Sequence, residues 1–310
     1  MLEVKNLHKN YGSLVAVHNL SFTLKPGDIF GFIGSNGAGK TTTIKMVSTL
    51  LEPTSGTATL NGADITKNPM EVRRQIGYMP DFFGLYDDIK VWEYLEFFAG
   101  IYSIPKNQRT EVIDNVLELT DLTIKKQAFV QSLSRGMQQR LCLARCLIHD
   151  PALLLLDEPA SGLDPRARAE LKELILELAR MGKMIIVSSH ILPELSDFCN
   201  TVGIIEKGHM LRWGPVQDVI RSLQPVRELV LEMMDGASRA ATLLEGRSGV
   251  CEVRSHADGR RLVIGFEGDE SQQAEVLAIL VRDGIRVLSY QEDVKNLEHV
   301  FLNLTTGAVN

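Results

Sequence analysis

The sequence predicts an α/β protein in which a mixed β-sheet carries a helical subdomain, followed by a small α+β domain of ferredoxin-like type. Three observations support this. Period-two alternation dominates the first sixty residues, apolar residues recur three and four apart between about residues 80 and 150, and β/α alternation resumes at Leu153. We expect residues 1–224 to form one domain and residues 225–310 the other, with Pro225 at the linker.

The first half of the chain alternates like a half-buried sheet and then becomes helical. Alternation predicts four strands, at Leu2–Asn6, His18–Leu24, Ile29–Ile33 and Gly56–Leu60, the last closed by an Asn61-Gly62 turn. Helical spacing of apolar residues then predicts helices at Val91–Tyr102, Gln108–Thr120 and Gly136–His149. These helices make up the predicted helical subdomain.

The second half of the chain shows the alternation of strands and helices that is typical of a parallel sheet. A strand at Leu153–Leu156 precedes a helix that Asp164 and Pro165 begin and Gly182 ends, and a strand follows at Met184–Ser188. A hairpin through Lys207-Gly208 comes next. Beyond Pro225 the pattern reads strand, helix, strand, strand, helix, strand, helix, which favours a two-layer α+β domain.

Composition and charge narrow the functional classes. The chain has 310 residues, 45% of them hydrophobic, and a formal net charge of −6. No basic face is evident, so we expect no nucleic-acid partner. The N-terminus has no apolar signal core, and no segment has the length needed to span a bilayer, so any membrane role is expected to depend on a partner.

A glycine-rich turn after the strand Ile29–Ile33 is the strongest chemical signal. Converging backbone N–H groups, a helix N-terminus, a lysine that reaches the outer phosphates and a hydroxyl for Mg²⁺ together make a phosphate cradle typical of P-loop NTPases. A turn that merely joins a strand to a helix needs no lysine and threonine after its last glycine. The predicted nucleotide-binding residues are Ser35, Asn36, Gly37, Ala38, Gly39, Lys40, Thr41 and Thr42.

Two adjacent carboxylates follow the apolar run Leu153–Leu156. Open α/β sheets place their ligands at the carboxyl ends of strands, so Asp157 is expected to hold the Mg²⁺ shell. Glu158, pointing differently, is the candidate base that polarises an attacking water. The alternative is a strand that ends in solvated acids.

The segment from Leu133 to Arg140 lies just ahead of a helix and contains Ser134 and Gly136. It resembles the Leu-Ser-Gly-Gly-Gln signature of the ATP-binding cassette (ABC) family, with Arg135 and Met137 as departures. The resemblance implies that Ser134 and Gly136 bind the γ-phosphate of ATP held by an opposite protomer. Taken alone, Ser134 is better explained as an ordinary N-capping serine, and the other motifs favour the functional interpretation.

Further positions match the same family. Tyr11 lies where such proteins stack a ring on adenine, and His190 resembles the switch histidine that senses the γ-phosphate. Ser161-Gly162-Leu163-Asp164 resembles the D-loop that crosses the dimer interface. Catalytic roles are thus expected for Lys40, Glu158 and His190, although Tyr11 and His190 also have structural readings, as a hairpin tyrosine and a strand-end histidine.

One departure concerns Ile76–Asp81, which resembles the loop where the family supplies a glutamine to Mg²⁺ and to the membrane subunit. Asp81 occupies that position. It either binds Mg²⁺, through a water, or leaves the contact to Asp157 alone. We expect part of the following cluster, Phe82, Phe83, Leu85 and Tyr86, to receive a short helix from a transmembrane partner.

The resemblance covers about the first 220 residues and implies an ATP-hydrolysing subunit of an exporter of the ABC-2 type. Such a subunit uses ATP and Mg²⁺, pairs with a second cassette, here expected as a homodimer, and lies at the cytoplasmic face of the membrane against separate transmembrane subunits. Asn296–Leu302 resembles the terminal helix of domains appended to these ATPases. The alternatives are a soluble ABC ATPase with a non-membrane partner and an ATP-gated binding module.

Overall fold

The computed structural model describes residues 1–310 except 83, 85–87, 191–194, 196–197, 224–225, 257–258 and 294–310. The chain divides into two compact units, Met1–Val216 and Gln217–Asn310. The division falls at the start of a helix that the sequence assigns to the first domain. The predicted linker residue Pro225 and the predicted terminal helix Asn296–Leu302 lie outside the described residues.

The strands of the first unit are β1 (Leu2–Tyr11), β2 (Leu14–Leu24), β3 (Ile29–Ile33), β4 (Ser55–Leu60), β5 (Ala63–Asp64), β6 (Ile76–Met79), β7 (Leu153–Asp157), β8 (Met184–Ser189), β9 (Thr201–Glu206) and β10 (His209–Pro215). The α-helices that begin in it are α1 (Lys40–Val47), α2 (Pro69–Arg73), α3 (Val91–Ile101), α4 (Lys106–Leu119), α5 (Arg135–Leu147), α6 (Pro165–Arg180) and α7 (Val216–Leu223). Each predicted strand and helix of this unit is therefore confirmed, with shifted ends.

The main sheet of the first unit is mixed, as predicted. Its order is β10-β9-β3-β8-β7-β6, and only the β9–β10 pair is antiparallel. The central strands β3, β7 and β8 are buried throughout, which is why their sequences are continuous apolar runs. Parallel pairing brings the carboxyl ends of β3, β7 and β8 to one edge of the sheet.

A second, antiparallel sheet in the order β2-β1-β4-β5 packs against the main sheet. Phe22 of β2 stacks on Phe30 of β3, with ring centroids 4.9 Å apart and planes 3° from parallel. This contact lies in a core cluster that joins both sheets. In the same sheet, Tyr11 at the end of β1 pairs with Leu14 at the start of β2.

The segment Ile76–Met79 corrects a prediction, because it forms the outer strand β6 and not a loop. Its backbone pairs with Leu153–Leu156 of β7, more than seventy residues later in the chain. A four-residue strand whose partner is remote in the chain leaves little local signal in the sequence. The consequence is that Asp81 lies just beyond a strand at the same sheet edge as Asp157.

The described elements of the second unit follow the order strand, helix, strand, strand, helix, strand. Its elements are β11 (Arg227–Met233), α8 (Ala237–Leu244), β12 (Val250–Ser255), β13 (Arg261–Phe266), α9 (Glu270–Arg282) and β14 (Val287–Asp293). The sheet order is β12-β13-β11-β14 with antiparallel pairing throughout. The helices bury Leu244 and Leu280 against it, giving the unit a core of its own.

Candidate active site

The turn between β3 and α1 has the backbone of an anion cradle. Gly37 and Gly39 have φ values of 83° and 110°, in the left-handed region that favours glycine. A Cβ on Gly39 would lie 2.6 Å from the Ala16 carbonyl oxygen, so a side chain is excluded there. A Cβ on Gly37 would meet nothing within 4 Å, and Ser35 and Asn36 are exposed, so the cradle is open to solvent.

Lys40 is folded inside this turn. Its side chain is 6% exposed, and Nζ donates to the carbonyl oxygens of Gly34, at 2.7 Å, and Ser35, at 3.3 Å. Nζ also lies 3.6 Å from Oε1 of Glu158. The ammonium group thus sits where the turn and the carboxyl edge of β7 meet.

Asp157 and Glu158 are both organised by Ser188, a residue that the sequence did not single out. Ser188 is fully buried on β8, directly opposite Asp157 in the register. Its hydroxyl donates to Oδ1 of Asp157 at 2.6 Å and accepts from the backbone N–H of Glu158 at 3.0 Å. The available signal was a polar side chain near the end of an apolar strand, two residues before His190.

Glu158 turns away from Asp157 because its backbone is left-handed, with φ of 50°. Oε2 lies 2.9 Å from Nδ1 of His190, while Oε1 faces Lys40. His190 is exposed and Glu158 only slightly so. The structure therefore brings together Lys40, Glu158 and His190, and joins Asp157 to them through Ser188.

Asp81 is exposed beyond the end of β6. Burial raises the pKa of the Tyr78 phenol to about 12, and the negative charges of Asp157 and Asp81 add to this shift. The side chains of Asp157 and Asp81 therefore both lie close enough to the Tyr78 phenol to act on it electrostatically. Phe82 is 90% exposed, whereas Phe83, Leu85 and Tyr86 lie outside the described residues.

Tyr11 stands at the end of β1 with 49% of its surface exposed. The Lys9 ammonium lies 5.5 Å from the centroid of its ring. The adjoining strand β2 reaches the glycine turn through Ala16 and Val17. Tyr11 is thus an accessible ring on the hairpin that borders the cradle.

Ser134 and Gly136 stand apart from this cluster in the contacts of the described residues. Ser134 is the N-cap of α5, and its hydroxyl accepts from the Met137 N–H at 3.4 Å. A Cβ on Gly136 would lie 3.2 Å from Cβ of Ala167 on α6. Among the described residues, these two belong to a separate helix start, at which Ser134 is exposed and Gly136 is half-buried.

Comparison with known proteins identifies the family. A model described as ABC transporter matches residues 17–161. The bacitracin transport ATP-binding protein BcrA of Bacillus licheniformis is 36% identical over 308 residues, which cover 99% of this chain and 98% of the relative. This chain belongs to the ABC transporter ATP-binding proteins.

Other ABC proteins support the same assignment. The linearmycin resistance ATP-binding protein LnrL of Bacillus subtilis (strain 168) is 33% identical over 307 residues, covering 98% of each chain. CbiO1 of Clostridium perfringens, a solved structure described as part of the ABC transporter complex CbiONQ, has a TM-score of 0.65 and 28% identity. That alignment covers 72% of this chain and 94% of CbiO1.

The family confirms the predicted ABC-type nucleotide-binding fold and the predicted activity. The chain is the ATP-binding, ATP-hydrolysing subunit of an ABC transporter. None of the helices in the described part of the chain is long and apolar enough to cross a membrane.

Proposed function

We propose that this chain powers an exporter by closing on a second copy of itself around ATP and passing that motion to separate transmembrane subunits. The names of its relatives support the direction, since one is named for bacitracin transport and another for linearmycin resistance. CbiO1 is described as part of a multi-component transporter complex. The chain would therefore act at the cytoplasmic face of the membrane, bound to the separate transmembrane subunits.

The cluster of Lys40, Glu158 and His190 carries the proposal. A carboxylate with one oxygen 2.9 Å from an imidazole nitrogen and the other 3.6 Å from an ammonium group is held in a defined orientation. Such a group accepts a proton from water, and positioned base catalysis is worth about 10²- to 10⁴-fold in rate. Glu158 is therefore the proposed base, and His190 orients it and the water.

ATP fits the cradle by its chemistry. The open left-handed glycine turn presents backbone N–H groups to the phosphates. Lys40, now bonded to the carbonyl oxygens of Gly34 and Ser35, would exchange those bonds for phosphate oxygens. Tyr11 is proposed to stack on the adenine, because stacking needs only an accessible ring face.

The donors near Asp157 also fit Mg²⁺, which prefers oxygen ligands. Asp157 is 2% exposed and already oriented by Ser188, and the Thr41 hydroxyl is exposed on the first turn of α1. We assign Asp157 and Thr41 to the ion, with Asp81 as a water-mediated contact. When bound, Mg²⁺ would neutralise charge that develops on the phosphates.

The second copy explains the separate position of Ser134 and Gly136. An exposed helix start with a capping serine binds anions, yet none of the described contacts joins it to Lys40 in its own chain. In a head-to-tail pair each signature segment would meet the partner's ATP. ATP then holds the interface closed, and hydrolysis releases it.

The variant Glu158→Gln tests this proposal. It should bind ATP and accumulate as a closed dimer with little phosphate release, as measured by size-exclusion chromatography and a phosphate assay. Glu177→Gln, a change of an exposed carboxylate on α6, is the matched control and should hydrolyse normally. Near-normal turnover by Glu158→Gln would contradict the assignment of the base, and a monomer saturated with ATP would contradict the dimer.

A further inference from the structure

Two side chains of α5 donate hydrogen bonds to the loop that begins at Glu158. The Arg135 guanidinium donates through Nη2 to the Ser161 carbonyl oxygen at 3.2 Å. One turn later, Nε2 of Gln139 donates to the Pro159 carbonyl oxygen. Positions 135 and 139 lie on one face of the helix, because they are four residues apart. We name residues 158–162 the base loop.

Both α5 side chains are closely packed where they meet the base loop. Gln139 is 4% exposed, so its bond to Pro159 lies in the interior. Gly162 has φ of 68°, and a Cβ there would collide with the Arg135 guanidinium. Within the base loop, the Ser161 N–H donates to the Glu158 carbonyl oxygen at 3.0 Å. Two hydrogen bonds thus join the base loop to the helix that begins at the signature segment, and a third, within the loop, leads from Ser161 to Glu158.

Helix stability does not explain Arg135. It is the first residue of α5, and a positive charge at a helix N-terminus is electrostatically unfavourable. In the described part of the chain it forms no ion pair with a carboxylate, unlike Arg140, which pairs with Asp121 and Glu170. Its hydrogen bond and contact are both made with the base loop. The contacts of Arg135 with the base loop therefore explain this side chain better than the stability of α5 does.

We propose that Arg135 and Gln139 are positioning residues, which form a bracket that couples the signature segment of a chain to the general base of the same chain. This rests on the proposed function, in which the signature segment contacts the partner's ATP while Glu158 acts on its own. Each bracket then links the two ATP sites. Phosphate contact at one site would set Glu158 for hydrolysis at the other.

The test compares Arg135→Ala with Gly162→Ala. The first removes the guanidinium, and the second retains it but displaces it from the base loop. Gly182→Ala is the matched control, since Gly182 is also left-handed, with φ of 85°, and a Cβ there meets nothing within 4 Å. Arg135→Lys, which keeps one donor, measures rescue. Steady-state ATPase activity is followed against ATP concentration, with circular dichroism to verify folding.

We expect Arg135→Ala and Gly162→Ala each to lower kcat about tenfold relative to their controls, the effect of one lost charged hydrogen bond. KM for ATP should stay within about twofold, because neither residue touches the chain's own nucleotide. Arg135→Lys should recover part of kcat. In the Glu158→Gln background, Arg135→Ala should still form the ATP-dependent dimer.

Other outcomes would overturn the bracket. If Arg135→Ala lowers kcat and Gly162→Ala matches Gly182→Ala, Arg135 acts through its charge on the partner's ATP. Loss of the ATP-dependent dimer in the Arg135→Ala, Glu158→Gln double variant would point the same way. Unchanged kcat in both single variants, with the Glu158→Gln dimer intact, would reject the bracket while leaving the proposed function standing.

Discussion

Replacing Ser188 by alanine should destabilise the first unit much more than the same replacement at an ordinary buried serine. The change leaves Oδ1 of Asp157, which is buried, without its 2.6 Å donor, and the Glu158 N–H, which is partly buried, without its 3.0 Å acceptor. A hydrogen bond to a charged group contributes about 1.5–3 kcal/mol and a neutral one about 1 kcal/mol. We expect the free energy of unfolding to fall by about 2.5–4 kcal/mol.

Urea unfolding followed by circular dichroism measures this difference. Ser48→Ala is the matched control, because Ser48 is also buried but donates only to the neighbouring Lys45 carbonyl oxygen, at 3.1 Å. It should lose only about 1 kcal/mol. The Mg²⁺ concentration that half-saturates ATPase activity should also rise about 10- to 100-fold in Ser188→Ala. A Ser188→Ala protein no less stable than Ser48→Ala would refute this account of the carboxyl edge.

Three further predictions concern other side chains of the first unit. Lys40→Ala should weaken ATP binding, measured by calorimetry, because it removes the ammonium from the cradle; tight binding there would contradict the role of Lys40. Tyr11→Ala should weaken ATP binding by about 1–3 kcal/mol but leave inorganic triphosphate binding unchanged, since only adenine stacks. Burial lowers the pKa of His149 below 6.5, so its contribution to stability is complete above that pH and is lost as the pH falls through the folded-state value. His149→Gln should therefore reduce the acid slope of stability by up to about 1.4 kcal/mol per pH unit, and an unchanged slope would contradict this.

The parts of the site that depend on local chemistry could be predicted from the sequence. The apolar run Ile29–Ile33 and the glycines after it predicted a strand, a turn and a helix start, and each lies where expected. Asp164 was predicted as an N-cap, and its Oδ1 accepts from the Ala167 N–H at 2.9 Å. These signals are readable because every partner lies within a few residues.

The remaining parts depend on contacts between remote segments. Ser188 meets Asp157 from another strand, and β6 owes its existence to pairing with β7. The grip of Arg135 on Ser161 crosses from one helix to a loop. None of these leaves a periodic trace, because each partner contributes only one or two residues to the contact.

The amino-acid sequence alone thus determined which groups are available: the glycine turn, the lysine, the paired carboxylates and the histidine. Only the tertiary structure decided how they meet, with Glu158 between Lys40 and His190 and Asp157 held by Ser188. The physical reason is that local propensities act over a few residues, whereas the orientation of a side chain is set by whatever the folded sheet places against it.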